Sequence, residues 1–132
     1  MHKLADIANF AVVFLLIVNS NIMKVIRNKY LPPEGYKAMT VGPLIFVREP
    51  FALGSVDINH ETIHWEQQKE MLIIPFFLWY VIEFIIKYIY YGFKWHKAYR
   101  SLSFEREAYY NQEVMTYLNN REPFAWVYYI KL

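Results

Sequence analysis

Residues 55–69, with the sequence SVDINHETIHWEQQK, decide how this chain folds and what chemistry it can carry. Ser55 or Asp57 can cap a helix that begins near residue 58. His60 and His64 lie four residues apart, so a helix places both imidazoles on one face. Glu61 is rotated by about 100° from His60 and can accept a proton from a nearby water molecule. The HExxH pattern therefore predicts a metal-binding helix that also carries a general base.

Two imidazoles do not complete a zinc site, which needs a third protein ligand. The chain has no cysteine, so the third ligand must be a histidine or a carboxylate. Four carboxylates and one imidazole in the rest of the chain are candidates: Glu70, His96, Glu105, Glu107 and Glu113. A helix that continues past His64 carries Glu70 away from the metal, and the basic, aromatic surroundings of His96 are typical of a surface histidine. The best candidates therefore lie in residues 104–109.

The run Phe104-Glu105-Arg106-Glu107-Ala108 resembles the Phe-Glu-x-x-Ala-Asp run of the CAAX prenyl protease and HtpX group. An HExxH helix followed by a later helix with a glutamate ligand is similar to the gluzincin zinc metallopeptidases. The resemblance implies zinc held by His60, His64 and Glu105, with Glu61 as general base. It covers residues 57–70 and 102–113, and the aspartate that ends the family run is Tyr109 here.

Two further side chains are candidates for the surroundings of the metal. Gln67 lies three residues beyond His64, on the metal side of the helix, where its amide can hydrogen-bond a ligand or a substrate. Tyr109 lies one turn beyond Glu105, where a phenol can stabilise a developing oxyanion. The alternative for both residues is an ordinary structural role.

The rest of the chain predicts a mostly α, α+β fold: a minimal zincin-like helical domain with a small β-hairpin before the HExxH helix. Residues 36–41 and 44–48 alternate in polarity around Gly42-Pro43, which indicates the hairpin. Pro75 is expected to break or kink the HExxH helix. An apolar segment follows over residues 71–91, with Glu83 and Lys87 on one face, and a last long helix is expected over residues 103–119.

A membrane anchor is expected at the N-terminus. Residues 4–26 are apolar, are followed by basic residues and are predicted to form one helix, with a signal peptide or a soluble core helix as alternatives. This gives an anchor over residues 1–30 and a metallopeptidase domain over residues 31–132.

Residues 71–91 are long enough to span a bilayer. A single crossing would separate His64 from Glu105, so we expect this segment to pack against other helices or lie in the membrane interface, with Glu83 and Lys87 toward water or the cleft.

Composition narrows the function class. The chain has 132 residues, is 56% hydrophobic and carries a net charge of +2 without a basic tract, which argues against disorder and against nucleic acid binding. We expect a membrane-associated, zinc-dependent metallopeptidase that acts on peptide or protein substrates. One alternative is a non-enzymatic membrane or partner-binding protein with a structural metal site, and another is an aromatic-rich membrane protein without metal. The sequence does not specify an oligomeric state.

Overall fold

The computed structural model describes residues 2–19 and 22–132, and its mostly helical α+β architecture confirms the predicted fold class. Six helices and three strands form the described part of the chain, with a 3₁₀ turn near the C-terminus. The helices are α1 His2–Asn19, α2 Ser55–Met71, α3 Ile73–Tyr90, α4 Trp95–Arg100, α5 Ser103–Asn111 and α6 Tyr117–Asn120. The strands are β1 Lys24–Asn28, β2 Ala38–Val41 and β3 Leu44–Arg48, and the 3₁₀ turn is Ala125–Tyr129.

The three strands form one sheet in the order β1-β3-β2. Strands β2 and β3 are the predicted antiparallel hairpin, with Thr40 opposite Ile45. Strand β1 pairs in parallel with the other edge of β3, with Lys24 opposite Leu44. The prediction of a single helix over residues 4–26 is therefore wrong at its end, because β3 offers a free edge that recruits residues 24–28. This strand joins the sheet although it precedes the domain boundary that we placed at residue 30.

Helix α2 begins three residues earlier than expected. Its N-cap is Gly54, and the first helical residue is Ser55. The carboxylate of Asp57 accepts a hydrogen bond of 2.9 Å from the Gly54 amide and also pairs with Lys37 at 2.6 Å. Asp57 thus satisfies an amide at the N-terminus of α2 and ties that end to the segment before β2.

The break between α2 and α3 lies at Leu72, three residues before Pro75. Leu72 has a positive φ of 60°, and Pro75 lies in the first turn of α3. A proline cannot continue a helix, because its ring collides with the carbonyl four residues earlier, which here is that of Met71. Met71 is accordingly the last residue of α2. Pro75 therefore ends α2 but is tolerated at the start of α3.

Helix α3 is apolar and mostly exposed. Within the described ranges it is the one helix long and apolar enough to cross a membrane by length and composition. Three of its 18 residues are buried, Phe76, Glu83 and Lys87. Phe76 packs with Phe104 and Trp126 in the hydrophobic core. Of the two alternatives for this segment, packing against other helices holds for the buried stripe, and a position in the membrane interface stays a prediction.

The expectation that Glu83 and Lys87 face water or the cleft is wrong, because both side chains are buried against the start of α5. Glu83 accepts hydrogen bonds from the Ser103 amide at 2.9 Å and the Ser103 hydroxyl at 2.6 Å. Lys87 pairs with Glu83 at 2.7 Å and donates to the Ser101 carbonyl. Glu83 therefore satisfies the first turn of α5, two residues before Glu105.

Helix α5 ends at Asn111, earlier than the predicted end at residue 119. The side-chain amide of Asn59, on α2, donates to the carbonyl of Gln112 at 2.8 Å and to that of Val114 at 3.2 Å. These carbonyls therefore bind a side chain distant in sequence instead of continuing the helix. The turn that results brings Gln112 next to His60.

We expect Lys87→Met to lower the free energy of unfolding by about 3–5 kcal/mol, because it leaves the buried Glu83 carboxylate without its cation. The matched change Lys69→Met removes a partly exposed ion pair with Glu66 and should cost no more than about 1 kcal/mol. Denaturant titration in detergent measures both changes. Equal losses in the two variants would contradict a structural role for the buried pair.

Candidate metal centre

His60, His64 and Glu105 meet at one buried point between α2 and α5. Their ligand atoms all lie within 4.8 Å of one another. The Nε2 atoms of the two histidines are 3.1 Å apart. Nε2 of His60 lies 3.3 Å from Oε2 of Glu105, and Nε2 of His64 lies 3.3 Å from Oε1. Ligand atoms about 2.0–2.1 Å from a tetrahedral zinc ion lie about 3.3 Å from one another. The three side chains are therefore spaced as a metal ion requires, and this group could hold one.

Hydrogen bonds at the far side of each imidazole orient the rings. The amide oxygen of Gln67 lies 2.8 Å from Nδ1 of His64, and the amide oxygen of Gln112 lies 3.0 Å from Nδ1 of His60. An amide oxygen only accepts hydrogen bonds, so we assign the proton of each neutral ring to Nδ1. This tautomer leaves the Nε2 lone pairs directed at the common point, as metal binding requires.

The orientation of Gln67 is itself fixed by a buried carboxylate. The Gln67 amide nitrogen donates to Glu107 at 2.9 Å and to the Phe104 carbonyl at 3.1 Å. Both partners are acceptors, so the amide oxygen must face His64. Glu107 is fully buried and pairs with the guanidinium of Arg121, which also pairs with Glu70. A chain of contacts thus extends from His64 through Gln67 and Glu107 to Arg121.

The metal-free site holds an ion pair. Burial on its own would lower the pKa of His64, but the adjacent Glu105 carboxylate raises that pKa to about 9. Burial would likewise raise the pKa of Glu105, and the positive charge of the adjacent His64 lowers that pKa well below its ordinary value. A metal ion that binds here replaces the proton of His64.

One oxygen of this carboxylate remains unsatisfied. Within the described part of the chain, Oε2 of Glu105 is buried and has no hydrogen-bond partner. Its close neighbour is Nε2 of His60, whose lone pair faces it when Nδ1 carries the proton. Two buried lone pairs that face each other are unfavourable unless a cation lies between them. The residues present therefore fit a metal ion.

Glu61, the predicted general base, is buried beside this group. Its carboxylate accepts a hydrogen bond of 2.5 Å from the hydroxyl of Thr40 on β2. The side-chain amide of Gln68 also binds this end of the hairpin. It accepts a hydrogen bond from the Gly42 amide and donates one to the Thr40 carbonyl, both of 2.8 Å. The hairpin therefore fixes the carboxylate of Glu61, a contact that the spacing of the motif does not reveal.

Three tyrosines surround the centre. Tyr109 contacts the ring of His60, with ring centroids 4.5 Å apart, and the guanidinium of Arg100 lies over the ring of Tyr109. Tyr80 donates to Glu105 at 3.2 Å. Burial and the charge of Glu105 raise the pKa of Tyr99, which keeps its phenol protonated. The spacing from Glu105 predicts Tyr109 but does not predict Tyr80 and Tyr99, because no spacing sets these two apart among twelve tyrosines.

The other candidates for the third ligand lie elsewhere. Glu70 and Glu107 pair with Arg121. His96 is exposed and contacts the ring of Tyr36, and Glu113 is exposed. Of the five candidates, the structure places Glu105 at the two histidines.

Comparison of the chain with protein-family models, with curated proteins and with solved structures finds no match. The resemblance of the HExxH run and of residues 104–108 to the gluzincins therefore stays a prediction. Zinc as the identity of the metal stays a prediction as well.

We expect Gln67→Leu to lower the affinity for metal about 10- to 100-fold, because His64 loses the acceptor that orients it. Competition with a chelator at constant pH measures the change. Gln68→Leu is the matched control, since its amide is equally buried but bonds the hairpin. Unchanged affinity in Gln67→Leu, or an equal loss in Gln68→Leu, would contradict the orienting role.

The raised pKa of His64 predicts how the stability of the metal-free chain depends on pH. The ion pair stabilises the fold fully below the ordinary pKa of 6.5, and this stability is lost as the pH rises through about 9. The free energy of unfolding should therefore fall between these two pH values. His64→Gln should remove this fall, whereas His96→Gln, at an exposed imidazole, should preserve it. Equal stability of the metal-free parent at both pH values would contradict the ion pair.

Proposed function

We propose that this protein is a membrane-associated metallopeptidase that hydrolyses peptide bonds with a zinc ion held by His60, His64 and Glu105. The observation that carries the proposal is the convergence of these three ligands, with an unsatisfied carboxylate oxygen, beside the buried carboxylate of Glu61. The order of residues in the HExxH motif supports the same roles.

Each residue has a defined part in the proposed reaction. A zinc ion, when bound, supplies Lewis acidity that polarises a carbonyl and acidifies water. Glu61 accepts the proton of the attacking water and passes it to the leaving amine. Thr40 holds Glu61 in position through its hydroxyl. Tyr99 and Tyr109 border the site as protonated phenols and can donate to a developing oxyanion.

The number of protein ligands favours a catalytic over a structural metal. A structural zinc ion is usually closed by four protein ligands, whereas a catalytic one keeps a position open for substrate. Within the described residues the group that could hold a metal has three members. Two cavities adjoin it, so substrate has a path to the site.

Strand β2 is the edge strand of the sheet next to the candidate metal centre. An extended substrate can hydrogen-bond to this edge over a short length only. Gln68 already bonds the Gly42 amide and the Thr40 carbonyl on the outer edge of this strand. The backbone groups of Ala38 face the same outer edge as those of Thr40, two residues later, and Ala38 lines both cavities that adjoin the centre. We expect strand addition of a peptide at Ala38 rather than along the whole hairpin.

The membrane part of the proposal rests on exposed apolar side chains. On α1, Phe10 and Leu16 are 73% and 65% exposed, and on α3, Ile74 and Leu78 are 81% and 61% exposed. Exposed apolar surfaces of this kind are typical of proteins that associate with the membrane interface. The sequence predicts this role for the N-terminal helix, and among the residues that the structure describes, α3 meets the length and composition of a span. We expect α3 to lie along the membrane, because the ligands on α2 and α5, which precede and follow it, meet at one point.

We expect Glu61→Gln to retain the metal and the fold but to lower the rate of peptide hydrolysis about 10²- to 10⁴-fold, since an amide cannot accept the proton of water. Glu66→Gln, on the partly exposed side of the same helix, is the matched control and should retain activity. Cleavage of a quenched fluorescent peptide library by the full chain in detergent measures the rates. A Glu61→Gln variant as active as the parent would refute the peptidase mechanism while leaving the metal site intact.

A further inference from the structure

Two cavities of opposite character meet at the candidate metal centre. The larger one, of about 330 Å³, lies between α3, the hairpin and the metal ligands, and His64, Glu61 and Glu105 form part of its wall. The remainder of this wall is mostly apolar and includes Pro32, Met39, Phe76, Phe77, Val81 and Phe84. We refer to this space as the apolar cavity.

The second cavity, of about 230 Å³, opens on the other side of the centre, and we refer to it as the polar cavity. Its wall includes His60, Tyr109 and Gln112, together with the ion pair of Lys37 and Asp57. The side chains of Lys37 and Asp57 are 40% and 34% exposed. Both charges can therefore be reached by a polar group that enters this cavity.

Glu61 lies at the boundary between the two cavities. Four residues line both spaces: Tyr36, Ala38, Glu61 and Tyr99. The general base and a protonated phenol thus stand where the two cavities meet. When a peptide bond is placed at this position, the residue on one side of the bond lies in the apolar cavity and the residue on the other side lies in the polar cavity.

We propose that the substrate is a peptide with a large apolar side chain on one side of the scissile bond and a polar or charged side chain on the other. The apolar cavity accepts the first side chain and the polar cavity accepts the second. This inference rests on the proposed function and adds the substrate class. The volume of the apolar cavity is at the low end of the range of about 300–1,000 Å³ for ligand pockets, which suits one large side chain.

Val81 lies at the rim of the apolar cavity. It lies on α3, lines the cavity and is 52% exposed, as expected of a residue at the rim. A tryptophan at this position would fill the opening without entering the buried core. Leu78, on the same helix, does not line the cavity and is 61% exposed, so Leu78→Trp is a matched control.

The test compares two hydroxamates that bind through the same metal-chelating group: acetohydroxamate and 3-phenylpropanohydroxamate. Their affinities for the full, cobalt-loaded chain in detergent are measured by the change in the visible spectrum of cobalt. We expect the phenyl compound to bind about tenfold more tightly or better, because its ring is buried in the apolar cavity. Val81→Trp should reduce this ratio to near one, and Leu78→Trp should leave it unchanged.

Equal affinities for the two hydroxamates in the parent chain would overturn the proposal, whether or not the variants fold. Failure to bind either compound would overturn it as well, since the metal would then be inaccessible. A preserved ratio in Val81→Trp would place the phenyl ring outside the apolar cavity and also contradict it. Because these measurements involve no hydrolysis, a chain that prefers the phenyl compound but cleaves no peptide would refute the peptidase function and leave the apolar cavity established.

Mapping of cleavage sites tests the other half of the substrate class. The full chain is incubated with a peptide library of defined sequences, and the products are identified by mass spectrometry. We expect a large apolar residue at one side of each cleaved bond and a polar or charged residue at the other. Cleavage between two small residues, or between two large apolar residues, at equal rates would contradict the two-sided site.

Discussion

The contact between the Glu105 carboxylate and the imidazoles of His60 and His64 is the constraint on which the rest of the structure depends. It joins α2 to α5, which are more than thirty residues apart in sequence. A buried carboxylate against two imidazoles is unfavourable unless a proton or a metal ion balances the charge. The surrounding elements hold α2 and α5 at the distance at which the Glu105 carboxylate reaches both imidazoles.

Two sets of contacts maintain that distance, and each fixes a different part of the site. Glu83 on α3 satisfies the first turn of α5, which carries Glu105. Glu107 and Arg121 fix the amide of Gln67 and, through it, the ring of His64. Lys87 pairs with Glu83, and Arg121 pairs with both Glu107 and Glu70. Opposite charges and hydrogen bonds thus hold the ligands in place.

The same helix serves the site and the exposed surface. The buried stripe of α3 anchors α5, one face lines the apolar cavity, and the remaining apolar side chains are exposed. We infer that contact of α3 with a membrane would place the mouth of the apolar cavity close to that surface. Substrate selection and membrane association would then depend on one structural element.

The sequence predicts the parts of this site that depend on local spacing. Backbone geometry accounts for three of these predictions: the interval of four between His60 and His64, the turn at Gly42 and the break before Pro75. The prediction of Glu105 as the third ligand is implied by the resemblance to the gluzincins. Three features could not be predicted from the sequence, because each depends on a partner distant in sequence. They are the strand over residues 24–28, the early end of α5 and the burial of Glu83 and Lys87. Tyr99 was missed for the same reason, since its role depends on its position between two cavities.

Metal content of the purified full chain is the most direct test of the central claim. After reconstitution with zinc and removal of free metal, elemental analysis should give one zinc ion per parent chain. His64→Ala and Glu105→Ala should each lose it, whereas Glu113→Ala, which changes an exposed carboxylate on the turn after α5, should retain it. A parent chain without metal, or a Glu105→Ala variant that keeps a full complement of tightly bound zinc, would contradict the proposed metal centre.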